Sequence, residues 1–319
     1  MRAIPLLSLL LGGWFAVPAH ADEAQDWLTR LGQAEQQQSF HGTFVYERNG
    51  SFSTHNIWHR VQDGKVSERL LQLDGSAQEV VRIDGHTQCV SGALIAGLGD
   101  SPNSSARALD PQKLKNWYDL AVIGKSRVAG RSAVIVSLTP RDQHRYGFEL
   151  HLDKETGLPL KSLLLNDKGQ LLERFQFTQL DTADTPSDSD LQPGADCKVV
   201  NLDSDKTSAV KAAQVWHSDW LPPGFELTSS SARKDPETKT QVNSLMYDDG
   251  LARFSVFLEP LNGASVTDTR TQLGPTVAVS RRLTTPQGEM MVTVVGEIPI
   301  GTAERIALSM RTDATASKQ

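Results

Sequence analysis

This sequence of 319 residues contains few cysteines and few aromatic residues, and neither sign of charge strongly exceeds the other. It contains two cysteines and 6% aromatic residues, and its 38 acidic and 32 basic side chains leave a formal net charge of −6. Nucleic-acid-binding domains carry clustered positive charge, so this balance disfavours nucleic acid as a partner. After the N-terminal segment, no apolar run reaches the roughly 20 residues that a membrane-spanning helix needs.

The sequence also lacks the short motifs that mark common catalytic and metal sites. It has no G-x-S-x-G nucleophile elbow, no phosphate-binding glycine loop and no H-E-x-x-H pair. His55 and His59 are four residues apart, but in a strand they lie two pleats apart without a catalytic glutamate between them. Asp153, Glu155 and Asp167 lie beside predicted turns, where acidic side chains form local hydrogen bonds. We therefore expect no enzyme, no metal site and no cofactor.

Residues 1–21 have the layout of a secretory signal peptide. Arg2 precedes an apolar stretch from Ala3 to Val17, and Ala19-His20-Ala21 places small residues at the last and third-last positions before a cleavage point. We expect cleavage between Ala21 and Asp22 and export to the periplasm. The apolar stretch is shorter than a bilayer-spanning helix, which disfavours a retained anchor.

Both cysteines, Cys89 and Cys197, lie in the part of the chain that is expected to be exported. An even number of cysteines in an oxidising compartment favours a disulfide. Closing a loop of this length is worth roughly 4–5 kcal/mol in the chain-entropy model. The alternative is a pair of free thiols, with Cys89 buried in a strand and Cys197 exposed.

The mature chain is predicted to begin with a helix and to continue as a long antiparallel meander. Apolar residues recur at helical spacing on one face, with Asp22 as the cap; they are Ala24, Trp27, Leu28, Leu31 and Ala34. From Gly42 onward the period is two, and Asn49-Gly50 predicts the first hairpin. Further elements are expected at Val66–Leu73, Glu79–Ile83, His86–Ser91, Asp110–Trp117 (a short helix), Ala133–Thr139, Tyr146–Asp153, Leu160–Asn166 and Leu171–Leu180.

The predicted sheet is apolar on one face and polar on the other, because large apolar residues alternate with polar ones along Tyr146–Asp153. A curved sheet of this kind either packs a full core or encloses a ligand cavity on its concave side. The pattern alone favours the packed core. Residues 92–108, rich in Gly, Ser, Asn and Pro, are expected to form a flap.

Composition divides the mature chain into two domains. Residues 22–180 are expected to form the first domain and residues 181–213, rich in Asp, Ser, Thr, Pro and Gly, a linker. Residues 214–319 are expected to form a smaller α+β domain. Its predicted strands are Ser244–Tyr247, Ala252–Glu259, Thr276–Arg282 and Met290–Val295. A C-terminal amphipathic helix should cover the sheet with Ala303, Ile306, Ala307 and Met310.

Several long segments resemble the RseB/MucB family, and the likeness covers essentially the whole mature chain. They are Gly42-Thr-Phe-Val-Tyr-Glu-Arg48, Ser53-Thr-His-Asn-Ile-Trp-His-Arg60, Arg145-Tyr-Gly-Phe-Glu-Leu-His-Leu-Asp153, Thr156-Gly-Leu-Pro-Leu-Lys161 and Trp220-Leu-Pro-Pro-Gly-Phe225. The resemblance implies an α+β chain. Its first domain would be an unclosed antiparallel β-barrel with helices, similar to the lipoprotein carriers LolA and LolB, and its second a smaller C-terminal α+β domain.

The resemblance also implies a periplasmic negative regulator of an extracytoplasmic-stress sigma factor. Such a regulator binds the periplasmic domain of a membrane anti-sigma factor of the RseA/MucA kind and shields it from site-one proteolysis. A lipid or lipopolysaccharide fragment would trigger release. The alternatives are a periplasmic lipid or lipoprotein carrier, which would not need the second domain, and an envelope scaffold. The sequence leaves the formation of a homodimer open.

The resemblance favours a lipid cavity in the first domain over the packed core. The residues expected to line it are Phe44, Tyr46, Trp58, Leu71, Phe148 and Phe175. The partner is expected to bind the second domain around Trp220, Phe225, Arg233, Phe257, Arg281 and Arg282. Phe257 is out of phase with Phe254, Val256 and Leu258, so alternation places one of these two sets outside. In the alternative interpretation, Phe257 packs beneath the helix and the arginines are only solvated.

Overall fold

Two antiparallel sheets organise the chain in the computed structural model, which describes residues 19–75, 78–91, 109–199, 216–234, 240–286 and 288–312. The first sheet has eleven strands and the second has six. The predicted flap at 92–108 and residues 1–18 of the predicted signal peptide lie outside the described residues. Among the described helices, none combines the length and the apolar composition that crossing a membrane requires.

The first domain wraps its sheet around a helix. Its elements are α1 (Ala19–Gln37), β1 (Phe40–Arg48), β2 (Ser51–Gln62), β3 (Lys65–Gln72), β4 (Glu79–Ile83), β5 (His86–Val90), α2 (Pro111–Leu114), β6 (Tyr118–Val128), β7 (Arg131–Pro140), β8 (Gly147–Asp153), β9 (Pro159–Leu165), β10 (Leu171–Asp181) and β11 (Lys198–Val199). The strand order is β11-β5-β4-β3-β2-β1-β10-β9-β8-β7-β6. The strands at the two ends, β11 and β6, do not pair with each other, so the predicted unclosed barrel is confirmed.

Helix α1 lies on the concave face of this sheet and fills part of it. Its Leu28 is fully buried in a cluster with Tyr118 and Val136, and its Ala34 packs in a second cluster with Phe40. The helix extends back to Ala19, so Asp22 lies in its first turn and not at the predicted cap. The concave face is therefore packed as a core along β6, β7 and β8.

Local chemistry explains the β1–β2 turn, the length of α2 and why strand β6 was not predicted. Asn49 and Gly50 both have positive φ, as the tight β1–β2 turn requires. The predicted helix at 110–117 is only Pro111–Leu114, capped by Asp110. Strand β6 was not predicted, because a register shift between Val122 and Gly124 interrupts its alternation.

The second domain is a six-stranded sheet with a helix on one face. Its elements are β12 (Trp216–Ser218), β13 (Glu226–Lys234), β14 (Gln241–Asp248), β15 (Arg253–Pro260), β16 (Thr269–Leu273), β17 (Thr276–Thr285), β18 (Gly288–Gly296), α3 (Ile300–Ser309) and β19 (Met310–Thr312). The sheet order is β13-β14-β15-β18-β17-β16, and β12 pairs with β19. Phe254, Val256 and Leu258 share a core with Ile306 of α3, so the predicted amphipathic helix is confirmed.

Candidate ligand groove and interdomain seam

Partly exposed aromatic and aliphatic side chains lie on the concave face beside the part that α1 fills. The rings of Phe44 and Phe175 are 4.7 Å apart, centroid to centroid. Tyr46, Ile57, Leu70 and Phe175 pack against the core there but remain partly exposed. We call the surface formed by these four residues and Phe44 the groove.

Close strand contact beside the groove depends on Gly42. A Cβ at this position would lie 2.4 Å from the carbonyl oxygen of Gln179 and 2.9 Å from the ring of Phe177. Real Cβ atoms do not approach so closely, so the Phe177 ring rests directly on the glycine backbone. The glycine thus helps to fix the aromatic cluster that backs the groove.

A few polar groups face the groove. His55 stacks on Phe44 at 5.0 Å and contacts the Ser53 hydroxyl at 2.8 Å. Burial lowers the pKa of His55, so its ring is neutral at pH 7. The Tyr46 hydroxyl donates to Glu173 Oε2 at 2.6 Å. An apolar surface with a few polar groups suits an amphiphile better than a fully polar molecule.

The predicted cavity residues do not all share this face. Phe44 pairs with His55 across β1 and β2, so Trp58, an odd number of residues further along, points to the opposite face. Leu71 pairs with Asn56 and also lies on that opposite face. Phe148 is on the concave face but packs against the α1 core. The prediction grouped large apolar residues by size, whereas strand register separates them.

A segment that we call the strap, residues 186–199, crosses the opposite face of the first sheet. The predicted disulfide joins its Cys197 to Cys89 on β5 and is confirmed, with a Cα–Cα distance of 5.5 Å. Arg69 donates to the carbonyl of Asp190 and stacks on Trp58, and it pairs with Glu79 at 2.6 Å. Residues 181–199 of the predicted linker are therefore packed on the first domain, and residues 200–215 lie outside the described residues.

The two domains meet at a seam built around Arg145, whose side chain is fully buried. Its guanidinium donates to Asp249 Oδ2 of the second domain at 2.7 Å, to Asp142, and to the carbonyl of Pro223. It also lies over the Phe225 ring at 5.1 Å. Burial raises the pKa of the Asp249 carboxyl, and the charge of Arg145 opposes that rise.

Gly224 brings the backbone of the second domain against Trp117 of the first. Its φ is +88°, and a Cβ there would lie 2.2 Å from Trp117 Cε2. The segments Arg145–Asp153 and Trp220–Phe225, which carried much of the family resemblance, thus meet at this seam. Sequence reasoning missed this role, because nothing in the pattern paired Asp249 with Arg145.

The predicted partner residues also fall on different surfaces. Phe225 is buried at the seam. Trp220 lies under Arg305, with the guanidinium 3.8 Å from the ring centroid, and Arg281 pairs with Glu304 of α3 at 2.7 Å. The three others, Arg233, Phe257 and Arg282, lie on the face of the second sheet opposite to α3. Phe257 therefore does not pack beneath the helix.

This outer face is a mixed apolar and polar surface. Phe257 pairs with Ser244 and Thr293, and half-buried Val242, Met246 and Val295 share its face. Helix α3 packs on the other side of the sheet. Within the described ranges, no group of three or more His, Cys, Asp or Glu side chains is placed to hold a metal ion.

Comparison with known proteins decides the family. The model of the MucB/RseB N-terminal domain matches residues 23–195, and the model of the C-terminal domain matches residues 210–311. The chain belongs to the MucB/RseB family. This family member is 63% identical, over the full length of both chains, to the sigma factor AlgU regulatory protein MucB of Pseudomonas aeruginosa. It is 30% identical over 314 residues, 96% of each chain, to the sigma-E factor regulatory protein RseB of Escherichia coli K12.

Solved structures support the same assignment for this MucB/RseB chain. The Pseudomonas aeruginosa MucA/MucB complex matches with a TM-score of 0.83 at 62% identity, covering 92% of this chain and all of that one. A crystal structure of MucB matches with a TM-score of 0.68 at 60% identity, covering 92% and 98%. The predicted family and α+β fold are thereby confirmed.

Proposed function

We propose that this chain is a periplasmic regulator of an AlgU- or sigma-E-type sigma factor and binds the periplasmic domain of a membrane anti-sigma factor. The observation that carries the proposal is the 63% identity, over the whole of both chains, with the sigma factor AlgU regulatory protein MucB. A structure of MucB with MucA(peri) matches this chain with a TM-score of 0.80. The predicted signal peptide and the Cys89–Cys197 disulfide support an oxidising, extracytoplasmic location.

The outer face of the second sheet is the proposed partner surface. Phe257 lies at its centre among half-buried side chains, and Arg233 and Arg282 lie on the same face. Buried aromatic and arginine side chains are the residue types that contribute most to protein interfaces. A segment of the anti-sigma factor bound here cannot extend into the cleft of a protease, so binding protects it from site-one cleavage.

The groove is the proposed lipid site. Its apolar surface of Phe44, Ile57 and Leu70 suits an acyl chain, and the polar groups of His55 and Tyr46 suit a head group. A bound lipid lowers partner affinity only if it binds the free and the partner-bound states with different affinity. The same groove would serve a lipid carrier, and only partner binding separates the two functions.

A protection assay tests the proposed partner surface. The periplasmic segment of a MucA-like anti-sigma factor is mixed with the chain and exposed to the site-one protease, and the intact segment is measured over time. We expect stoichiometric protection by the wild-type chain and its loss in Phe257→Asp, because a charge at the centre of an interface is desolvated without a partner.

Phe52→Asp is the matched control, because Phe52 is 63% exposed on the first domain and receives the same substitution. Full protection by Phe257→Asp, with its fold intact by circular dichroism, would move the partner surface elsewhere. Absence of protection by the wild-type chain would contradict the regulatory function itself and would leave the lipid carrier.

A further inference from the structure

A chain of polar contacts joins the groove to the second domain. Tyr46, whose ring lies in the groove, donates its hydroxyl to Glu173 Oε2 at 2.6 Å. The same carboxylate oxygen pairs with Arg48 Nε at 3.4 Å. Arg48 Nη2 then donates across the domain boundary to Thr276 Oγ1 at 2.6 Å and to Glu297 Oε1 at 2.9 Å. Every step from the Tyr46 hydroxyl to the second domain is therefore a contact between two side chains.

Strand geometry places these side chains next to one another. Tyr46 and Arg48 alternate along β1 and therefore share the concave face. Tyr46 pairs with Phe175 of β10, and Arg48 pairs with Glu173, two residues earlier on the same strand. The tyrosine ring thus lies within the groove, and the guanidinium lies at its rim, where the second domain begins.

The β16–β17 turn packs closely on Arg48, so a movement of Arg48 should also disturb the turn. A Cβ on Gly274, at the turn between β16 and β17, would lie 2.9 Å from Arg48 Cγ and 3.5 Å from the carbonyl oxygen of Leu172. Burial and the bond to Glu173 raise the pKa of Tyr46, so its hydroxyl keeps the proton that it donates. Arg48 lies between two carboxylates, Glu173 of its own domain and Glu297 of the other.

We propose that Tyr46, Glu173 and Arg48 form a relay that transmits occupancy of the groove to the second domain. This inference rests on the proposed lipid sensing. An acyl chain in the groove displaces the half-exposed Tyr46 ring and breaks its 2.6 Å bond. Glu173 then loses the hydrogen bond from Tyr46. Its carboxylate binds the Arg48 guanidinium more tightly instead, because carboxylate and guanidinium form strong charge-assisted hydrogen bonds. Arg48 leaves Thr276 and Glu297, and the domains lose a contact at the rim.

The relay is first tested without lipid or partner. Tyr46→Phe removes the hydroxyl and keeps the ring. We expect faster amide hydrogen exchange in the β16–β17 turn of this variant, because Arg48 no longer holds it. The matched control is Tyr146→Phe, which likewise removes a tyrosine hydroxyl. That hydroxyl donates across the domain boundary to the Ile298 carbonyl at 3.1 Å, but it lies outside the relay. Exchange in the turn that is unchanged in Tyr46→Phe would refute the relay, whatever the chain binds.

The second test measures coupling by calorimetry, with a lipid A fragment as the probe and the periplasmic segment of a MucA-like anti-sigma factor as the partner. In the wild-type chain the fragment should weaken partner binding roughly 5- to 150-fold, the usual range for coupled sites. In Tyr46→Phe and Arg48→Met the fragment should still bind, but the ratio of the two partner affinities should fall towards one. Tyr146→Phe should keep the wild-type ratio.

The outcomes separate the relay from the function on which it rests. Wild-type coupling that persists in both relay variants overturns the relay and leaves lipid sensing intact. A wild-type ratio of one, with fragment binding confirmed, overturns lipid sensing and with it the transmitting role of the relay. Loss of partner binding in every protein, with or without the fragment, contradicts the regulatory function instead.

Discussion

Replacing Gly224 by alanine tests the seam that joins the two domains. The added Cβ would lie 2.2 Å from Trp117 Cε2 and 2.3 Å from Trp117 Nε1. These distances are well below any real carbon contact, so either the indole or the Trp220–Phe225 loop has to move. Because Arg145 binds the carbonyl of Pro223 in the same loop, a shift there should also weaken the buried ion pair.

The magnitude follows from separating backbone strain from the clash. Alanine in the left-handed region costs roughly 1–2 kcal/mol, and overpacking adds typically about 1–3 kcal/mol. Gly263→Ala is the matched control, because Gly263 has φ +83° and a Cβ there meets nothing within 4 Å. The control should show the strain alone. Gly224→Ala should therefore lose about 1–3 kcal/mol more than Gly263→Ala.

Urea unfolding followed by tryptophan fluorescence measures both variants, because the midpoint and the slope yield the free energy of unfolding. If the domains come apart before they unfold, the Gly224→Ala transition should also broaden or divide into two. Equal losses in Gly224→Ala and Gly263→Ala would refute the claim that Trp117 rests on the Gly224 backbone and joins the domains.

Three further predictions concern buried charge, acid stability and the disulfide. Arg145→Met should cost about 3–5 kcal/mol in urea unfolding at neutral pH, because Asp249 becomes a buried carboxylate without its arginine; a loss below about 1 kcal/mol would contradict this role. The hydrogen bond from His59 lowers the pKa of Glu68 from 4.5, so ionised Glu68 stabilises the fold above that pH and this stabilisation is lost on acidification. The difference in unfolding free energy between wild type and Glu68→Gln should therefore shrink from pH 6 to pH 3. A constant difference would contradict this role of Glu68. Replacing both cysteines by serine should cost about 2–5 kcal/mol, and the denatured, unreduced wild-type chain should titrate no free thiol.

Strand alternation made most of the fold predictable. The β1–β2 hairpin followed from Asn49-Gly50. Alternation separated Phe254, Val256 and Leu258 from Phe257 on β15, and the structure shows that the first three face the core. Strands β13 and β16 were missed because they are edge strands with mostly exposed residues and no apolar alternation. The strap was assigned to the linker because its polar composition hides its contacts with the first sheet.

The candidate sites were predictable only in part, because they depend on register and on contacts between distant segments. Phe44, Tyr46 and Phe175 lie on one face, whereas Trp58 lies on the other, because the prediction grouped residues by side-chain size and not by strand register. Arg145 was recognised only as part of a family segment. Its pairing with a residue of the other domain follows from how the domains pack, which no local pattern records.

Direct binding tests the central claim most sharply. The mature chain is titrated calorimetrically with the periplasmic segment of a MucA-like anti-sigma factor, in the absence and in the presence of a lipid A fragment. We expect saturable binding of the segment, weakened roughly 5- to 150-fold by the fragment. An absence of binding by the folded mature chain would contradict the proposed regulatory function.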